Sequence, residues 1–314
     1  MDHALNQIGF YLYTLAFLTT LARVFQPKLT RWVPLGFIAA GASFQLAAFI
    51  VRWSLLNWAP VTTMYEILCY VSFGLGLAVF FTYRKSDFPV LTAMSLILPI
   101  AALGVALFKE SSDLKPVVPG LQSNWMPIHV SCWCFSYSAF GVGFIVSAAL
   151  IALRRLDRAP EMQEKLSELF YRLVLFGFPF HTLGLITGAL WASNAWASPW
   201  FNDPKEWTSA ITWLIYAIYL HLHRKKLRGA DWLGIVGMAS VLLTFVGVNF
   251  IPSASQSAHT YVSPGSPGWL MLGWIFGPFA ILSIGLGLLG FWRKAPIQNS
   301  KFQIQNKKVL NIES

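Results

Sequence analysis

The chain predicts an all-α, polytopic membrane protein of about nine transmembrane helices, on three observations. Its 314 residues are 56% hydrophobic and only 11% charged, where soluble domains average about 25% charged, and its mean hydropathy is +0.56. Apolar stretches of about 20 residues, each long enough to cross the hydrocarbon core, recur from end to end. Basic residues alternate between connections in a way that orients the whole chain.

Backbone groups in lipid need internal partners, so the apolar stretches are read as helices. They fall at roughly 7–25, 33–52, 64–83, 88–108, 128–153, 169–191, 207–223, 232–251 and 268–292. The first begins MDHALNQ, without a basic leader or a small-residue cleavage site, and predicts a retained span. With the odd-numbered connections on the inner side, nineteen of the 23 Lys and Arg lie inside. Only Arg52, Lys109, Lys115 and Lys205 lie outside. That bias predicts an outer N-terminus and a cytoplasmic C-terminus. The net charge of +10 is thereby a topology signal, and the reading excludes a nucleic-acid patch.

Residues 1–294 read as one transmembrane domain and 295–314 as a polar cytoplasmic tail. The inner connection 154–168 is polar and helix-prone, and prolines make 109–127 a structured loop. The outer connection 252–267, PSASQSAHTYVSPGSP, is small and polar. Cys69, Cys132 and Cys134 all fall in expected helices. Residues two apart on a helix do not face each other, so Cys132 and Cys134 are expected to stay unpaired.

Residues 191–213, WASNAWASPWFNDPKEWTSAITW, carry five tryptophans: Trp191, Trp196, Trp200, Trp207 and Trp213. An external loop at about 191–208 would hold four of them beside Asp203, Lys205 and Glu206. Rings in that number make an apolar platform suited to a large planar ligand; an interfacial aromatic belt is the plainer alternative. Asp203 before Pro204 also suits a helix N-terminus, as does Glu66 in APVTTMYE.

Four histidines are candidates for chemistry. His129 opens the fifth expected helix and His259 lies in the outer loop 252–267, both on the tryptophan side. Two such imidazoles could ligate one haem iron, or be unconnected surface residues. His221 ends the seventh helix near the inner face, some 27 Å from Asp203 at helical rise. It could be a second, inner ligand or a snorkelling interfacial residue. His181 lies mid-span, where ionisable side chains are costly and point to function. It could relay a ligand or pair with His221; a neutral ring bonded to a carbonyl or hydroxyl is the other reading.

In combination, PVTTMYE (60–66), LQSNWMPIHVSCWCFSYSAF (121–140), GLITGALWASNAWASPWFNDPKE (184–206), ITWLIYAIYLH (211–221), GVNF (247–250) and AHTY (258–261) resemble the CcsA (ResC) family of cytochrome c biogenesis proteins, haem handlers with a Trp-rich, WWD-type external loop. The resemblance spans about Pro60 to Tyr261. It implies non-covalent haem b as cofactor, with His129 and His259 as axial iron ligands and His221 as an inner haem ligand. It puts Trp191, Trp196, Trp200, Trp207 and Asp203 around the cofactor, and His181 joins this set of candidate cofactor-binding residues on its mid-span position alone. The implied work is to carry haem outward and support its attachment to apocytochrome c, as a component of a cytochrome c synthase (haem lyase). The implied partners are a CcsB (ResB)-type membrane protein, the apocytochrome and a thioredoxin-like thiol reductant, in a plasma or thylakoid membrane.

The chain departs from the family pattern at Asn202, where a Trp is usual, and at Trp207-Thr208, where the order is Thr-Trp. Thr63, Thr260 and Val262 also depart, and His181 stands at a usually apolar position. These differences keep open a diverged paralogue serving an atypical cytochrome. A transporter or structural subunit with an aromatic gate is the reading of another class. A coupled transporter needs paired intramembrane charges, and the apolar segments carry almost none.

Overall fold

The structure, a computed structural model, describes residues 1–245 apart from 201, 202, 226 and 228, and Trp196 by its backbone only. His259, the loop 252–267, the ninth expected segment and the tail lie outside the described residues. Among the described residues all regular structure is helical: α1 Asp2–Phe25, α2 Trp32–Leu56, α3 Met64–Lys85, α4 Pro89–Lys109, a 3-10 turn Pro119–Leu121, α5 Trp125–Arg155, α6 Pro160–Trp196, α7 Pro204–Arg224 and α8 Trp232–Phe245.

The helices α1 to α6 are long and apolar enough to cross a membrane. The seventh expected segment forms the 21-residue α7, but Lys205, Glu206, Thr208, Ser209, Thr212 and two histidines keep it more polar than the first six. The described part of the eighth is 14 residues. The sixth is longer than its apolar core: α6 runs for 37 residues, about 55 Å at 1.5 Å per residue, well beyond the ~30 Å hydrocarbon thickness. It absorbs much of the polar 154–168 connection at one end and Trp191 and Trp196 at the other. Only 197–203 therefore separate the end of α6 from the start of α7.

Local sequence sets the helix ends. Asn57 closes α2 in the left-handed region (φ 53), which Asn tolerates better than most side chains. Thr63 and Glu66 form a reciprocal capping box at the start of α3, satisfying N–H groups that the helix leaves without partners. Pro opens α4, α6 and α7, where its missing N–H costs nothing.

The α5–α6 pair is the most extensive helix contact and the one that positions the site. Small α6 residues alternate with a histidine, each receiving a large α5 side chain. A Cβ on Gly177 would lie 2.8 Å from the Phe140 ring, on Gly184 3.1 Å from Trp133, and on Gly188 2.6 Å from His129. His181 bonds Ser136 between them. Small residues let membrane helices approach this closely, which replaces the hydrophobic drive that lipid removes.

At the same end of the bundle as His129, Arg52 is buried (3% exposed). It donates to Glu66 and Asp2, each at 2.9 Å, and to the carbonyls of Ser112 and Asp113. One guanidinium thus ties the start of α1, the end of α2, the start of α3 and the loop after α4. At the opposite end Arg23 bonds Asp87 and Tyr83, and Arg154 pairs with Asp231. Cys69, Cys132 and Cys134 are unpaired thiols.

Candidate functional site

A cavity of about 250 Å³ lies among α5, α6 and α7 at the tryptophan end of the bundle. His129, Trp133 and Tyr137 line it from α5, at spacings of four that put them on one helix face. Gly188 and Ala192 line it from α6, Trp200 from the connection, and Lys205, Glu206 and Ser209 from α7. Most of the remaining wall is aliphatic.

The His129 ring is held against α6. Its Nδ1 is 2.8 Å from the Gly184 carbonyl oxygen. That oxygen can only accept, so Nδ1 carries the hydrogen. The Trp133 indole N–H lies 3.1 Å from Nδ1 and 3.2 Å from Nε2; with the hydrogen on Nδ1, the ring's lone pair that can accept it is at Nε2. A carbonyl on the far nitrogen is the arrangement that fixes tautomer and direction in metal-ligating histidines. Nε2 is accordingly the nitrogen with which this ring would bind a metal, in exchange for the indole hydrogen bond.

The tryptophans divide into different roles. Trp191 is buried (3% exposed), packs with Ala59, Val61, Met126 and Val130 and donates to Gly120 O. Its ring stands 5.7 Å from His129, so it backs the imidazole. Trp200 and Trp207 are both exposed and meet edge to face at 5.4 Å; Trp200 also lines the cavity. Trp213 donates to Thr182 and packs on Phe178. Trp196 sits in the last turn of α6.

Asp203 caps α7, accepting from the Lys205 N–H at 2.8 Å, and Glu206 accepts from the Asp203 N–H at 3.1 Å. The sequence reading of Asp203 as a helix-start residue therefore has a geometric basis. Burial pushes the Lys205 ammonium down to about 8, with Asp203 opposing the shift.

His181 is fully buried. Its Nε2 donates to Ser209 O (3.1 Å) and its Nδ1 is 3.2 Å from Ser136 Oγ, so both ring nitrogens are engaged. Its expected alternative partner is not reached. His181 bonds Ser209 while His221 lies 12 residues further along α7, about 18 Å away by helical rise, and is exposed in the last turn. The structure thus brings His129, Trp200 and the Asp203–Ser209 turn together, leaves His221 apart, and sets His181 beneath the cavity against Trp133, with ring centroids 4.5 Å apart.

Trp133, Tyr137, Gly184 and Gly188 are site residues that the sequence reading did not single out. The readable signals were the Gly-x-x-x-Gly spacing 184–188 and the recurrence of rings every four residues after His129.

The fold and site define a polytopic helical membrane protein that presents an oriented imidazole in an aromatic-walled pocket. The chain belongs to the cytochrome c assembly protein family, whose model matches residues 58–254. It is 30% identical over 308 residues to the cytochrome c biogenesis protein CcsA of Prochlorococcus marinus strain MIT 9312, covering 87% of this chain and 95% of that one. CcsA of Synechococcus sp. strain RCC307 is 31% identical over 241 residues, covering 65% and 78%. Among solved structures the cytochrome c haem lyase CcmF superposes with a TM-score of 0.64 at 20% identity, over 91% of this chain and 51% of CcmF. This chain therefore spans about half of CcmF and shares its fold.

Proposed function

We propose that the chain binds haem b non-covalently at the α5–α6–α7 cavity, on the outer side of the membrane, and presents it for attachment to apocytochrome c. The observation that carries this reading is the His129 ring, directed by a main-chain carbonyl at a cavity with indole and aliphatic walls. The donor set fits the group: a neutral imidazole for iron, apolar walls and aromatic faces for a porphyrin. Among the described residues no three His, Cys, Asp or Glu side chains converge to chelate a bare metal ion. The cavity is somewhat smaller than the roughly 300–1,000 Å³ of sites that enclose a drug-sized ligand. The exposed Trp200 and Trp207 rings beside the cavity would offer aromatic surface to a porphyrin too large to be enclosed there.

When bound, haem supplies an iron for axial imidazole and the vinyl groups that become thioethers on the apocytochrome. His129 would hold the iron through Nε2, and His259 is proposed as a second iron ligand. Trp133 and Trp200 would limit water around a bound porphyrin, and Trp191 backs the His129 ring. His221 is proposed as an inner ligand during transfer across the membrane, and His181 as a neutral buttress under the pocket. The basic-residue bias supports an outer N-terminus and a cytoplasmic C-terminus. A CcsB-type subunit and a thiol reductant are the proposed partners.

The test is an absorption spectrum of the purified, detergent-solubilised chain, oxidised and dithionite-reduced, for wild type and for His129→Ala combined with His259→Ala. A bis-histidine b-type spectrum lost or shifted in the double variant is expected. A wild type that stays colourless when haem is supplied overturns the reading.

A further inference from the structure

We propose that a groove between α3 and α6, at the end of the bundle opposite His129, is a seat for one phospholipid with a primary-amine headgroup. α3 and α6 both pack on α5 but not closely on each other, which leaves a cavity of about 1300 Å³ with α5 as its floor. Leu77, Ala78 and Phe81 line it from α3, Phe135 from α5, and Leu173 and Phe176 from α6. All three helices are long and apolar enough to cross a membrane, and Phe81 and Phe176 are exposed. Apolar walls do not hold water, and close-packed proteins do not keep empty space on this scale. Hydrocarbon is the filling that such walls match.

Two features favour a lipid over a helix of another protein. The first is length. On α3 the lining runs from Gly74 to Lys85, about 16 Å at helical rise, which is half of the ~30 Å hydrocarbon thickness. An acyl chain ends at mid-bilayer, whereas a spanning helix would continue past the groove to the other face. The second is the distribution of charge. Lys85 lies at the end of α3, and Glu161, Glu164 and Lys165 lie in the first turns of α6, all on the same cavity. Asp87 and Glu168 line that end too, but they pair with Arg23 and Arg172. Among the described residues, Lys85, Lys165, Glu161 and Glu164 have no opposite charge within ion-pair distance. Two ammonium groups and two carboxylates suit a headgroup that carries both signs. A phosphate meets the lysines, and a primary ammonium, with three N–H donors, meets the glutamates. A trimethylammonium has no hydrogen to donate, and a glycerol headgroup brings the phosphate charge alone.

The test places the full-length chain in detergent doped with equal amounts of phosphatidylethanolamine, phosphatidylcholine and phosphatidylglycerol of one acyl composition. Bound lipid is counted by native mass spectrometry. Wild type is expected to retain one phosphatidylethanolamine, with a preference of about fivefold over either rival, the range of an exposed charge contact. High salt should erase that preference. Glu161→Gln with Glu164→Gln should bring phosphatidylethanolamine down to the level of phosphatidylcholine. Lys85→Gln with Lys165→Gln should weaken all three lipids. These four side chains are exposed, so the exchanges leave the fold in place. Ala78→Trp, which fills the groove, should release the lipid. Equal retention of the three headgroups by wild type overturns the proposal, as does a preference for phosphatidylglycerol or a bound lipid that Ala78→Trp leaves in place. A wild type that retains no lipid also overturns it, and would assign the groove to a second protein or to the apolar segment 268–292.

Discussion

Gly188→Ala tests the claim that close packing against α6 aims His129. An added Cβ would lie 2.6 Å from His129 Cε1 and 2.8 Å from Nδ1. Carbon atoms rest at about 3.5–4.0 Å, so the ring must retreat by roughly 1 Å. The 2.8 Å bond from Nδ1 to Gly184 O then stretches past hydrogen-bonding range. Overpacking costs about 1–3 kcal/mol and the lost bond about 0.5–1.5 kcal/mol. The gain in helix propensity returns about 1 kcal/mol. The net expectation is a destabilisation of about 1–3 kcal/mol together with an altered haem spectrum. Gly36→Ala is the control: nothing lies within 4 Å of the position on α2, so only the propensity gain of up to about 1 kcal/mol applies. Thermal unfolding and the reduced absorption spectrum would be measured for both variants. If Gly188→Ala is as stable as Gly36→Ala and keeps the wild-type spectrum, the glycine seat does not orient the imidazole.

Two other perturbations have definite signs. Arg52→Met leaves Glu66 and Asp2 buried without their guanidinium, and removing one partner of such a group should cost about 3–5 kcal/mol, read as a large fall in unfolding temperature or loss of the folded chain from detergent. The Arg23 guanidinium, hydrogen-bonded to Asp87, holds that carboxyl below the usual range. Its contribution is complete above the unfolded carboxyl value near pH ~3.9 and is lost as pH falls through the lower folded value. Asp87→Asn should therefore lower stability at neutral pH and flatten the acid limb of an unfolding-against-pH profile.

The membrane character and the first six long helices were legible because a hydrocarbon solvent imposes a length and a composition that survive in any register. Helix starts were legible for a similar reason. Thr63-x-x-Glu66 and Asp203-x-x-Glu206 are local patterns, and both form capping boxes. The length of α6 was not legible, since its first turns are polar and its last carry tryptophans, so hydropathy marks only the middle. The seat of His129 was out of reach as well. Gly184 and Gly188 lie 55 or more residues away in sequence, and a glycine pair announces a close approach without naming the side chain that fills it. Trp191 illustrates the limit on the other side. Its place in a tryptophan-rich run pointed to a ligand platform, whereas its neighbours Met126 and Val130 make it part of the wall behind the imidazole.

The partner of His129 is a main-chain oxygen, and this bears on how the site tolerates change over evolutionary time. Histidines oriented by a carboxylate side chain are vulnerable at two codons, because loss of either residue frees the ring. Here the orienting group belongs to the peptide backbone of α6, so no single exchange of side chain deletes it. What selection must preserve instead is proximity, through two positions that stay without a side chain. Exchanges elsewhere in the tryptophan segment therefore leave the direction of the imidazole in place so long as Gly184 and Gly188 are kept.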